Sequence, residues 1–175
     1  MKVVIISGSP RKNAKTEIMM KHVFEYTKQK NADTKFINLS EGGFEYYRGF
    51  LNQVDYNEKT LQAARDITEA DIWLIGTPIY NSMFSAALKN LFEFINYKET
   101  EGKTAGLAIL ASGMVGFTDV QTLLTQLMSY FRVITNPTPV FMTADKIEDG
   151  QITSDDVKSR LNELVDKTLS IAKSN

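Results

Sequence analysis

Residues 3–16 read Val3-Val4-Ile5-Ile6-Ser7-Gly8-Ser9-Pro10-Arg11-Lys12-Asn13-Ala14-Lys15-Thr16. Four apolar residues in a row, with no polar alternation, are the pattern of a strand covered on both faces. The run breaks at Gly8-Ser9-Pro10 and gives way to Ile18, Met19, His22, Val23 and Tyr26 at helical spacing. Strand, glycine turn and helix in this order open a βαβ unit. The alternation then continues down the chain. Phe36–Leu39, Ile72–Ile75, Leu107–Leu110 and Val140–Met142 read as further strands. Leu61, Ala64, Ile67 and Thr68 predict one helix, and Ala86–Tyr97 another that is apolar on more than one side. Val120, Leu123, Leu124, Leu127, Met128 and Phe131 predict a third, and Val157, Leu161, Leu164, Val165 and Leu169 a fourth. That last helix starts near Ser154, with Asp155 and Asp156 where the helix dipole favours them. Five strands alternating with five helices imply right-handed crossovers and a parallel sheet.

The chain of 175 residues suits one domain, taken as 1–175, with 43% hydrophobic residues and no repeat. Lys and Arg number 20 against 21 Asp and Glu, so no global charge points to nucleic acid or a membrane surface. The absence of cysteine removes disulfides, iron–sulfur clusters, thiolate zinc and a thiol nucleophile together. A single histidine, His22, excludes a multi-histidine metal site within one chain. No apolar run approaches the ~18 residues of a spanning helix. Val3–Ile6 is too short for a signal peptide's apolar region. The expected setting is cytoplasmic.

Open α/β sheets bind ligands outside the carboxyl ends of their strands, at a switch point. The loops after strands one, three and four are therefore the candidates: Ser7–Thr16, Thr77–Ser85 and Ala111–Gly116. The first looks built for an anion. A helix start offers unpaired N–H groups and the positive end of the dipole. Ser9, Asn13 and Thr16 add neutral donors, Arg11 can grip a phosphate through two parallel hydrogen bonds, and Lys12 and Lys15 add positive field. Two rival phosphate loops fail on spacing. A nucleoside-triphosphate loop needs glycine immediately before the Lys-Ser/Thr pair, where this chain has Ala14, and an earlier glycine where it has Ser9. The dinucleotide fingerprint G-x-G-x-x-G is absent, because Gly8 is followed by Ser9-Pro10. A mononucleotide phosphate is the better candidate.

Gly8-Ser9-Pro10-Arg11, continued through Asn13 to Thr16, resembles the phosphate loop of the NADPH-dependent FMN reductase family. Thr77-Pro78-Ile79-Tyr80, followed by Leu88-Lys89-Asn90, resembles that family's second motif, P-x-Y-x-x-x-x-P-G-x-L-K-N. Order and spacing agree, and the likeness runs over most of the chain. The pattern Tyr80 to Lys89 is most similar to the short reductases associated with alkanesulfonate-utilisation monooxygenases, and azo- and quinone-reducing members share much of it.

This resemblance implies a flavodoxin-like three-layer sandwich, a five-stranded parallel sheet of order 2-1-3-4-5 with helices on both faces. It implies non-covalent FMN, with NADPH or NADH as reductant. It also implies roles: Ser9, Arg11, Asn13 and Thr16 on the FMN phosphate, Pro78, Ile79, Tyr80 and Asn81 along the isoalloxazine, and Ser112, Gly113 and Met114 on the flavin's other side. The implied activity passes electrons from nicotinamide through flavin to free flavin, a quinone or an azo compound, in a homodimer or homotetramer. No catalytic side chain is expected, since alignment supplies much of the rate of hydride transfer. Three departures stand out. Ser85-Ala86 replaces Pro-Gly, Ser112-Gly113 replaces a common glycine pair, and no cysteine cluster exists for the iron–sulfur branch.

Two other classes share the fold. A flavodoxin-type electron carrier would hold FMN without turning over NAD(P)H. It usually presents an acidic docking face, which a nearly neutral chain with Arg11, Lys12 and Lys15 in its phosphate loop lacks. A non-enzymatic ligand module would bind phosphate or nucleotide without redox turnover. His22 and Trp73 are expected to be structural, while Tyr80 and Phe84, large aromatics in the second loop, are expected at a flavin or a dimer contact. Lys89 is expected either to fix its helix start or to reach a charged cofactor. The segment Glu41–Asn57, with Phe44, Tyr46, Tyr47, Phe50 and Tyr56, is irregular. It is expected to cap the domain's own helices, or else to form a subunit contact or a lid.

Overall fold

The computed structural model describes residues 1–49 and 55–174. β1 (Lys2–Ser7) leads into α1 (Lys15–Lys28), β2 (Asp33–Asn38), α2 (Glu58–Glu69) and β3 (Ile72–Tyr80). α3 (Ala86–Phe92), β4 (Thr104–Ala111), α4 (Phe117–Tyr130), β5 (Val140–Thr143) and α5 (Asp155–Ser174) follow. β1 pairs in parallel with β2 and β3, β3 with β4, and β4 with β5, so the order 2-1-3-4-5 holds. The fold expected of the sequence is the fold observed.

Strand alternation sorts the core into two layers. Val4, Ile6, Trp73 and Ile75 pack toward α2, α3 and α4, while Val3, Ile5, Ile72 and Leu74 pack toward α1 and α5. Trp73 is fully buried against Phe92 and Phe131, and its Nε1 donates to the Ile67 carbonyl at 2.8 Å. His22 is structural too, its Nε2 2.9 Å from Asn162 Oδ1 on α5.

The structure refines three sequence readings. The fifth strand is preceded by a two-residue piece, Ile134–Thr135, which also pairs with β4. Pro137 and Pro139, which have no amide to donate, interrupt the ladder between them. Asn136 spans the gap. Its amide reaches the Ala105 carbonyl at 2.7 Å, its Nδ2 reaches Thr168 Oγ1 at 3.0 Å, and its Oδ1 accepts from the Thr138 amide and hydroxyl. The helix expected over Ala86–Tyr97 stops at Phe92, where Phe94 and Ile95 donate to carbonyls three residues back and tighten the last turn. Phe36–Leu39 becomes Asp33–Asn38, Leu39 opening a short 3₁₀ turn.

The described part of the aromatic segment caps the domain's own helices; Phe50 lies outside the described residues. Tyr47 and Tyr56 meet the Phe94 ring edge-on at 5.2 and 4.8 Å. Asn90 of α3 accepts the Tyr47 amide at 2.8 Å and donates to the Glu45 carbonyl at 2.8 Å. The apolar flank of α3 is thereby covered from within the chain, with Leu88, Leu91 and Phe92 buried. Lys89 is exposed and pairs with Glu93 one turn on. No helix among the described residues is long and apolar enough to cross a membrane.

Asn136 is buried and makes bonds that no apolar residue replaces. Asn136→Ala is expected to destabilise the fold by about 2 kcal/mol. The change would appear as a lower urea midpoint at unchanged slope.

Candidate active site

The carboxyl ends of β1, β3, β4 and β5 surround a cavity of ≈260 Å³. Ser9, Arg11, Lys12, Asn13, Ala14, Lys15 and Thr16 form one wall, and Pro78, Ile79, Tyr80, Leu110, Ser112 and Ala144 form the rest. Eight of the eleven residues singled out from sequence therefore meet in one place. A larger hollow of ≈650 Å³ between α2 and the stretch after α3 is lined by Glu69, Glu93 and Glu99 against Arg65, a net negative lining unsuited to a phosphate.

The first wall is shaped by its backbone. Gly8 donates to the Gly76 carbonyl at 2.8 Å, and a Cβ on Gly8 would stand 2.7 Å from that oxygen, closer than real Cβ contacts come. Asn13 sits in the left-handed region at φ 54, where asparagine is among the few tolerated residues. α1 then begins at Ala14 with no side-chain cap, leaving its first amides facing the loop. Thr16 and Ser9 are buried. Arg11, Lys12 and Lys15 are exposed, and none of them forms an ion pair among the described residues. No carboxylate lines the cavity among the described residues. Asp145 lies next to it in sequence but pairs with Lys146 at 2.9 Å. The Thr143 hydroxyl and the Lys146 ammonium hold its carboxyl below the usual range, hence ionised.

The second wall is tied to the first. Tyr80 places its hydroxyl 2.9 Å from Ser9 Oγ, and the Arg11 guanidinium lies over the Tyr80 ring at 4.6 Å from its centroid. Ser85, the departure from the family's Pro-Gly, has a clear part here. Its Oγ donates to the Gly8 carbonyl and accepts the Leu88 amide at 3.1 Å, capping α3 and anchoring the loop after β1 at once.

Asn81, Gly113 and Met114 do not line the cavity. Asn81 and Ser82 have φ of 49 and 64 and make the two-residue turn that pairs Tyr80 with Met83. Met114 is 78% exposed, and α4 starts beyond it at Gly116, again without a side-chain cap. Phe84 packs against the domain's own core rather than into the cavity. Sequence reasoning passed over two lining residues, Leu110 and Ala144. Ala144 follows β5, and Lys15 Nζ donates to its carbonyl at 2.6 Å, closing the cavity on that side. Extending the carboxyl-end rule to the fifth strand would have found it.

A family profile described as NADPH-dependent FMN reductase matches residues 1–148. The chain belongs to that family. An NAD(P)H-dependent FAD/FMN reductase of Geobacillus thermodenitrificans is 28% identical over 167 residues, 94% of this chain and 89% of the relative. An FMN-dependent NADPH-azoreductase of Staphylococcus aureus is 28% identical over 144 residues, 77% and 69% of the two chains. Among solved structures, the flavoenzyme NAD(P)H:(acceptor) oxidoreductase FerB of Paracoccus denitrificans superposes with a TM-score of 0.79 at 22% identity, covering 99% of this chain and 97% of its own. At that identity the likeness speaks for the fold.

The left-handed turn at residue 13 can be tested apart from any ligand. Asn13→Ala is expected to cost about 1 kcal/mol of stability and Asn13→Gly roughly half or less, read from urea midpoints.

Proposed function

We propose that this member of the family is an NAD(P)H-dependent flavin reductase that holds FMN in the cavity at the carboxyl edge and passes electrons to a free flavin, a quinone or an azo compound. The observation that carries the reading is one wall with three cations outside any ion pair, two buried hydroxyls, an uncapped helix start and no carboxylate, among the described residues. That set fits a phosphate dianion and no cation. The facing wall is apolar where Pro78, Ile79 and Leu110 lie, which fits the edge of a planar ring.

FMN, when bound, supplies the two-electron relay between nicotinamide and acceptor. The residues of this chain have three tasks. Ser9, Arg11, Asn13 and Thr16 would fix the phosphate, with Lys12 and Lys15 raising the local potential. Pro78, Ile79 and Tyr80 would set the ring against β3 and keep water from its inner edge, with Asn81 in the adjoining turn. Ser112 would close the opposite edge, with Gly113 and Met114 in the exposed loop beyond it, on the side open to an acceptor. No histidine or carboxylate lines the cavity among the described residues, and hydride transfer asks for no side-chain base. The contribution of the protein is then binding and alignment. The activities by which the two relatives are named, flavin and azo reduction, support small-molecule acceptors. A homodimer or homotetramer is part of the proposal.

FMN-loaded protein mixed anaerobically with NADPH or NADH is expected to bleach, and to oxidise the nucleotide catalytically once FMN, a quinone or an azo dye is added. Tight FMN binding without bleaching by either nucleotide would indicate a carrier instead. Failure to bind FMN at all would overturn the site assignment.

A further inference from the structure

Ser9 is buried at 1% exposure yet lines the cavity, and its hydroxyl has two neighbours of known kind. The Arg11 amide can only donate, and it points at Ser9 Oγ from 3.3 Å. The Tyr80 hydroxyl lies 2.9 Å away on the other strand's loop. A serine hydroxyl has two acceptor positions and one hydrogen. A phenol is the stronger donor of the two hydroxyls, and a guanidinium over the ring, here at 4.6 Å, draws on its π density and strengthens it further. Donation from Tyr80 fills the second acceptor position on Ser9. The one remaining hydrogen must then leave toward the cavity, since Ser9 Oγ makes no other hydrogen bond among the described residues.

We propose that Tyr80 is a positioning residue for the phosphate: its hydroxyl donates to Ser9 Oγ and, with the Arg11 amide, turns the Ser9 hydroxyl into a dedicated donor toward a phosphoryl oxygen. This rests on the reading that the cavity takes the FMN phosphate. It goes beyond that reading in assigning the second motif's tyrosine to the phosphate end through its hydroxyl, whereas its place in the motif suggests only a ring contact. The arrangement has a consequence for specificity. A Ser9 hydroxyl free to rotate could satisfy itself on Tyr80 and leave the cavity without its donor. One held by two donors is oriented before the ligand arrives, which favours a phosphorylated flavin over the same flavin with a terminal hydroxyl.

The test compares FMN with riboflavin, which shares the ring and lacks the phosphate, by fluorescence titration of wild-type, Tyr80→Phe, Ser9→Ala and double-variant protein. Tyr80→Phe keeps the ring, and with it the stack on Arg11. Its FMN dissociation constant is expected to rise severalfold as Ser9 loses its orientation, and by at most about tenfold, the effect of losing one hydrogen bond to a charged group, while that for riboflavin changes less than about twofold. Ser9→Ala is expected to behave alike, and the double variant to bind FMN no worse than Ser9→Ala alone, because Tyr80 acts through Ser9. Equal loss of both flavins in Tyr80→Phe would assign the hydroxyl to the ring and overturn the proposal. So would unchanged FMN affinity in Tyr80→Phe, or additive losses in the double variant. Wild-type protein that binds neither flavin would instead defeat the reading on which the proposal stands, and the two failures are thereby distinguished. Unchanged unfolding midpoints for the variants exclude misfolding as the source of any loss.

Discussion

Gly8 donates its amide to the Gly76 carbonyl at 2.8 Å and accepts the Ser85 hydroxyl on its own carbonyl. These two bonds fasten the loop after β1 to the β3–α3 segment. The side chain of any other residue at position 8 would press into the backbone of β3. The constraint is local, but the site depends on it. With Gly8 held, the chain can turn at Pro10, reach the left-handed position at Asn13 and start α1 with its first amides directed at the cavity. The same β3–α3 segment also carries Tyr80 across to Ser9. The β1–α1 wall and the Pro78–Tyr80 wall are therefore fastened to one strand and its following helix, and they are expected to move as a unit.

The electrostatic design follows from what is absent as much as from what is present. Exposed lysines and arginines of this chain generally find a carboxylate nearby, as in the pairs Arg65–Glu58, Lys89–Glu93 and Arg132–Glu101. Arg11, Lys12 and Lys15 do not, among the described residues, and they share one wall. Repulsion between three like charges is tolerated where an anion is to be received. The architecture alone does not separate carrier from reductase.

Much of this was legible in the sequence because it is written in local patterns. β1, β3 and β4 are apolar runs with no alternation, and a run buried on both faces can be little else. The loop after β1 was legible as a cavity wall because strand, glycine, hydroxyls, arginine and helix start occur in order. Three features depend on contacts between distant residues and left no local trace. The fifth strand is split at Pro137 and Pro139 and bridged by Asn136, whose partners lie on β4 and α5. The end of α3 at Phe92 follows from the tertiary cap of the aromatic segment on Phe94 and Asn90, since nothing apolar stops there. Ser85 read as a departure from a motif, and only its bond to Gly8 makes it part of the site. Asn81 is a different case: asparagine suits both a ligand loop and a tight turn, and here it makes the turn that adjoins the cavity.

In the proposed site the FMN phosphate would sit on the loop between β1 and α1, with the ring against the loops after β3 and β4. Backbone amide NMR tests it directly, by titrating the ¹⁵N-labelled protein first with inorganic phosphate and then with FMN. Phosphate is expected to shift the amides of Ser9 and Arg11–Thr16 alone, and FMN to shift these together with Ile79, Tyr80 and Ser112. Shifts that gather instead around Tyr47, Arg65 and Phe94, with Ser9–Thr16 unmoved by either ligand, would contradict the account.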